Sequence, residues 1–124
     1  MDITPLIQVG KQLIQSYGDG VIQIAEQRYQ EPVLVTSDRT FLFSAVDMAG
    51  LSLENFADLE IVDPRPELVL FGCGASIQPL ATEIRIGLKE RGMVTELMPT
   101  GAACRTFNVL LSEQRRVAAV LFPV

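Results

Sequence analysis

Thr100-Gly101-Ala102-Ala103-Cys104-Arg105-Thr106-Phe107-Asn108-Val109-Leu110 lies between a predicted strand, Val94 to Met98, and a fully apolar run, Val117 to Phe122. Ala103, Phe107, Leu110 and Leu111 fall at helical spacing, so this stretch reads as a helix with one apolar face. Thr100 suits the N-cap, where a hydroxyl accepts from a backbone N–H of the first turn. Arg105, Asn108 and Ser112 share a polar stripe. The helix is predicted to end near Arg115, with Arg115 and Arg116 forming a solvated basic end.

Working outward, Leu68-Val69-Leu70-Phe71 and Val117 to Phe122 carry no polar position. Such continuous runs are expected of strands buried on both faces. Between them, Pro79 suits the first position of a helix that carries Leu80, Ile84 and Leu88 and is capped by Gly92. Strand, helix, strand, helix, strand is the order of an α/β layer with a largely parallel sheet.

The first half has a different texture. Gln12 to Tyr17, Val21 to Ile24, Gln27 to Tyr29, Val33 to Val35 and Thr40 to Phe43 read as short strands separated by turn signals. Gly18-Asp19-Gly20 is a good turn. Ala25-Glu26 is a poor one, since a tight hairpin favours Asn-Gly or Asp-Gly. Ser52 starts a short helix with Leu53, Phe56 and Ala57. Asp63-Pro64-Arg65-Pro66 reads as a rigid loop.

Composition bounds the function. A chain of 124 residues, 48% hydrophobic and 20% charged, is expected to fold as one domain over 1–124. Ten basic residues against fifteen acidic ones give a net charge of −5, which argues against nucleic acid as a partner. The absence of histidine excludes a Ser-His-Asp site, a Cys-His site and a histidine-containing zinc site within one chain. The two cysteines, Cys73 and Cys104, fit a reducing compartment rather than a disulfide framework. Met1-Asp2-Ile3-Thr4-Pro5 lacks the features of an export signal, and no apolar run approaches the ~20 residues of a membrane-spanning helix. A bacterial cytoplasmic protein is the expectation, with no metal and no cofactor.

The candidate site is a cleft between Gly72-Cys73-Gly74-Ala75 and the first helical turn from Thr100 to Arg105, both of which follow sheet strands. Its residues are Gly72, Gly74, Ala75, Thr100, Gly101, Cys104, Arg105 and Asn108. Two readings stand for the polar pair: Arg105 and Asn108 bind a ligand or partner, or Arg105 is clamped by an acid such as Asp19 while Asn108 satisfies backbone groups. Cys104, at a helix start beside Arg105, is either an activated thiol or a small buried side chain, and the second is expected without a histidine base. Gly72-Cys73-Gly74 also resembles a partial dinucleotide fingerprint whose third glycine is Ile77 instead; the plainer reading is a sharp turn at a strand end.

Gly18-Asp19-Gly20, Gly72-Cys73-Gly74-Ala75, Thr100 to Leu110, and Ser112-Glu113 with Arg115-Arg116-Val117-Ala118 together resemble one small family of uncharacterised proteins. It holds bacterial and archaeal members of unknown function, the mitochondrial NADH:ubiquinone oxidoreductase (complex I) alpha-subcomplex assembly factor 3, and a cytosolic adipogenesis-associated protein. The resemblance covers nearly the whole chain and is most specific at Ala102 to Asn108. It implies a three-layer α/β fold with a central mixed sheet, helices and a small extra β-layer. It implies no established activity or cofactor. It implies function through protein contacts, with respiratory-complex or protein-export components as partners and peripheral membrane association through them. Ala25-Glu26 departs from the family's expected turn. Two functions follow as expectations: a binding or assembly module, or a small-molecule (carboxylate or nucleotide) binding protein or enzyme with its site at Gly72–Ala75 and Thr100–Arg105.

Overall fold

The computed structural model describes residues 10–124; the reading of Met1–Pro5 lies outside them. The described residues form eight strands, β1 Ile14–Gly18, β2 Val21–Ile24, β3 Gln27–Tyr29, β4 Val33–Thr36, β5 Thr40–Leu42, β6 Leu68–Gly72, β7 Val94–Met98 and β8 Val117–Leu121, and two α-helices, α1 Thr82–Glu90 and α2 Thr100–Ser112. Shorter 3-10 segments span Met48–Gly50 and Leu53–Ile61.

The strands divide into a three-stranded antiparallel sheet, β1-β2-β3, and a five-stranded mixed sheet in the order β5-β4-β8-β6-β7. β7, β6 and β8 run parallel, as the alternation with helices requires. β4 and β5 add to the other side of β8 as an antiparallel pair, so the first half of the chain supplies strands to both sheets.

The apolar runs are buried neighbours, with Leu70 beside Ala119 and Phe71 beside Val120 in register. Their alternate residues feed opposite faces. Val69, Phe71, Ala118 and Val120 pack with Phe56, Ile84 and Leu88 on one face. Leu70, Val117, Ala119 and Leu121 pack on the other with Ala103, Phe107 and the β1–β2 residues Ile14, Ile22 and Ile24. This is a three-layer α/β arrangement: α1 and the 3-10 segments, the mixed sheet, then α2 beside the small β-sheet.

Several boundaries differ from the sequence reading. Pro79 does not begin a helix; α1 starts at Thr82, after Leu80 has already been drawn into the core. Gly92 caps α1 as expected: its φ of +84° lets its N–H reach the Lys89 carbonyl and the Met93 N–H reach that of Leu88. α2 ends at Ser112 rather than near Arg115, because Gln114 at φ 60° makes the same left-handed cap. Arg115 and Arg116, half-exposed beyond that end, both pair with Glu67, at 3.2 and 3.4 Å. Ser52 does open a helical segment, of 3-10 type, with the Asn55 side chain accepting from its N–H at 2.7 Å.

Both N-terminal hairpins form. Ala25 and Glu26 join β2 to β3 with φ of 47° and 75°, the left-handed pair of a type I′ turn. Gln15 holds the turn by accepting from the Glu26 N–H at 2.8 Å and donating to its carboxylate at 3.0 Å. A non-glycine residue with positive φ is disfavoured. Replacing Ala25-Glu26 by Asn-Gly is therefore expected to stabilise the chain by about 1 kcal/mol, the scale of relieving such strain. Urea denaturation measures it; an unchanged or lower midpoint would show that the Gln15 bonds already offset the strain.

Candidate functional site

At the carboxyl ends of β6, β7 and β8 the chain closes through one buried side chain. Thr100 is fully buried, and its hydroxyl donates to the Phe122 carbonyl at 2.6 Å while accepting from the Gly74 N–H at 2.9 Å. The Thr100 N–H in turn donates to the Gly74 carbonyl at 2.9 Å. Thr100 is thus not the N-cap: Pro99 holds that position without a side-chain bond, and the hydroxyl ties α2 to β8 and to the β6–α1 loop instead. The Cys73 N–H bonds the Met98 carbonyl at 2.9 Å and the Phe122 N–H bonds that of Gly72 at 3.0 Å, which completes the closure.

Gly72 is needed here for space. A Cβ at that position would stand 3.0 Å from the Thr100 Cα and 3.1 Å from the Ala103 Cβ. Even a methyl group there would force α2 and the sheet apart by a few tenths of an ångström. No helix start follows Gly74, since the chain stays irregular until Thr82, so the glycines serve as a turn rather than as a nucleotide fingerprint.

The eight candidate residues fall into three settings. Gly72, Gly74 and Thr100 meet in the closure, with Ala75 exposed beyond it. Cys104 lies inside the layer between α2 and the sheet, 1% exposed. Gly101, Arg105 and Asn108 face the small sheet. A Cβ on Gly101 would meet the Tyr17 ring at 2.9 Å. Asn108 accepts from the Ile14 N–H at 2.9 Å and donates to its carbonyl at 2.8 Å, pairing with β1 as a neighbouring strand would. That is the backbone-satisfying reading of Asn108.

Arg105 is exposed and donates to the Tyr17 hydroxyl. The clamp reading is corrected: no acid within ion-pair distance faces it among the described residues, Asp19 included. Arg105→Ala is therefore expected to cost at most about 1 kcal/mol, the range of an exposed contact, and not the ~3–5 kcal/mol of a broken buried pair. A thermal melt reads the difference.

Burial pushes the Cys104 thiol up from 9.0 to about 12, while the Arg105 charge beside it pulls the other way and loses. The thiol stays protonated across the physiological range, which suits the structural reading. In a Cys73→Ser background, a disulfide reagent is expected to leave Cys104 unlabelled between about pH 7 and 9 in the folded chain and to label it promptly once denaturant is added. The linkage has a definite sign. Above pH 9.0 the unfolded thiol ionises while the folded one keeps its proton, so stability falls as pH rises from there toward about 12. Rapid folded-state labelling would promote a nucleophilic or redox role. Cys73 and Cys104 are both free and belong to clusters on opposite faces of the sheet.

Beside the closure lies a pocket of about 380 Å³ that the sequence did not indicate. Met48, Ala49, Cys73, Gly74, Phe122 and Pro123 line it, with Val46, Asp47 and Gln78 at its sides. These come from three segments far apart in the chain. Only Gly74 and Cys73 carried a sequence signal, as a turn after a strand. A second, more polar pocket of about 210 Å³ lies among Lys11, Asp38, Asp63 and Arg116. Among the described residues no group of His, Cys, Asp and Glu is placed to hold a metal.

The architecture defines a small three-layer α/β protein with a mixed sheet tied at its carboxyl edge by a threonine. A solved structure described as an outer membrane protein from Bartonella henselae has a similar fold, with a TM-score of 0.82 and 31% identity, covering 93% of this chain and 97% of that one. The chain belongs to the family described as a protein of unknown function, DUF498/DUF598, whose profile matches residues 14–122. An uncharacterized protein of Rhodobacter capsulatus is 32% identical over 90% of this chain and 84% of its own length. NADH dehydrogenase (ubiquinone) 1 alpha subcomplex assembly factor 3 of Danio rerio is 31% identical over 90% of this chain. The match spans 64% of that factor's length. The expected family is thereby shown, and the chain is a homologue of a complex I assembly factor.

Proposed function

We propose that the chain is a binding or assembly module, acting through contacts with a protein partner and turning over no substrate. The observation that carries this reading is the 31% identity with the Danio rerio assembly factor over 111 residues, 90% of this chain. Within that reading the Gly72–Ala75 loop and the Thr100–Arg105 turn form the contact region. Arg105, exposed and without an acid among the described residues, takes an acidic side chain of the partner. Components of respiratory or protein-export complexes are the partner class. No helix among the described residues is long and apolar enough to cross a membrane. In this reading the module is cytoplasmic and reaches a membrane through its partner.

Capture of the tagged chain from native lysate, followed by mass spectrometry, tests the reading. A stoichiometric protein partner whose retention weakens with Arg105→Ala, at unchanged melting temperature, supports it. Absence of any retained protein, together with a small molecule co-purifying at one equivalent, would overturn it.

A further inference from the structure

The pocket beside the closure has chemistry that selects its occupant. Met48, Ala49, Phe122 and Pro123 give it apolar walls, and Gly74 leaves one wall without a side chain. A cavity of roughly 150 Å³ already admits a benzene-sized guest. At about 380 Å³ this one has room for a branched or aromatic side chain and part of the residue that follows it. Val46, 85% exposed, adds apolar surface at the side of the pocket. An occupant that continues past the pocket as a chain would bury more of that surface than a small molecule confined to the pocket.

Charge narrows the choice further. Asp47 is the sole charged residue lining the pocket, and no cation lies within ion-pair distance of it among the described residues. One of its oxygens accepts from the Gly50 N–H at 2.9 Å, which fixes the carboxylate at the pocket wall. A second copy of this acidic chain is a poor occupant, since its net charge of −5 would be brought against itself.

We propose that this pocket receives an apolar side chain of a partner protein, and that a basic residue next to it in the partner pairs with Asp47. This rests on the assembly-module reading and assigns it a docking point.

The probe is N-acetyl-Leu-Arg-amide, titrated into the labelled full chain while backbone amide shifts are followed. Shifts are expected at Asp47 to Gly50 and at Cys73 to Gln78. N-acetyl-Leu-Glu-amide should bind up to about fivefold more weakly, the scale of one exposed ion pair. N-acetyl-Ala-Arg-amide should bind more weakly too, for want of the anchor. Asp47→Asn keeps an oxygen for the Gly50 N–H, since the two residues cap equally well. It should remove the preference for Arg over Glu without unfolding the chain. Val46→Lys, at an exposed position, removes the apolar surface and sets a like charge beside the arginine, so it should weaken both a captured partner and the Leu-Arg probe.

Leu-Arg leaving these amides unmoved, or Leu-Glu binding as well as Leu-Arg, overturns the proposal. If that happens while the chain still captures a protein partner that tolerates Val46→Lys, the docking point fails and the assembly reading stands. If the probe binds as expected but no protein is ever captured, it is the assembly reading that fails.

Discussion

Replacing Phe71 by alanine is expected to destabilise the fold by about 3–5 kcal/mol, the range for a buried aromatic. Phe71 is 0% exposed in β6, between β7 and β8. Its ring meets Phe56 edge-on at 5.9 Å, and Phe56 meets Phe43 in the same way at 5.4 Å. Phe43 lies 6.3 Å from Phe122. The rings therefore join β6, the Leu53–Ile61 segment, the end of the β4–β5 hairpin and the end of β8 in one contact chain. Removing Phe71 loses its transfer free energy and leaves a void that a sheet strand cannot close by moving, since its backbone is bonded on both sides. Urea denaturation gives the value. A loss below about 1 kcal/mol would place Phe71 outside the cooperative core.

That contact chain shows what was legible in the sequence. Leu68–Phe71 and Val117–Phe122 carry no polar position because both of their faces are covered, and an unbroken apolar run is the direct trace of that. The α2 face of Ala103, Phe107 and Leu111 was legible for the same reason, since helical spacing records one buried side. Asp19-Gly20 marks its hairpin because few other pairs accept two left-handed residues. Ala25-Glu26 carries no such mark, and its turn is imposed by β2–β3 pairing and by Gln15. The strand order was not legible. β8, last in the chain, inserts between β4 and β6, and nothing local in any of the three strands specifies that neighbour.

The candidate site was legible in part. Gly72–Ala75 and Thr100 do lie together, because each follows a parallel strand and the strand ends converge. Among the described residues, the acidic partner proposed for Arg105 within the chain was not there. A long exposed side chain has many possible neighbours, and sequence does not rank them. The pocket was invisible for a different reason: Met48, Cys73 and Phe122 come from segments whose proximity exists only after the sheet has formed. Thr100 was misread because a threonine at a helix start has a local use as a cap, and the local use was the only one in view.

Thr100→Val keeps the β-branch and the volume but removes the hydroxyl. The Phe122 carbonyl loses a donor and the Gly74 N–H loses its acceptor, with a methyl group at the place where each pointed. A buried polar group left unsatisfied costs about 1–3 kcal/mol, so the pair should cost about 2–4 kcal/mol, Gly74 being nearer the surface. Thr100→Ser removes the methyl and keeps both bonds, and should cost only about 1 kcal/mol, one buried methyl. If Thr100 were merely filling space at the helix start, the order would reverse, because valine packs as threonine does and serine leaves a gap. Denaturant midpoints of the two variants separate these cases. Amide exchange at Gly74 adds a local reading: it should quicken in the valine variant and hold in the serine one. Since the same bonds fix Gly74, a wall of the pocket, the valine variant should also weaken binding there, whereas the serine variant should not. Serine destabilising more than valine would end the case for the hydroxyl as the tie between α2, β8 and the β6–α1 loop.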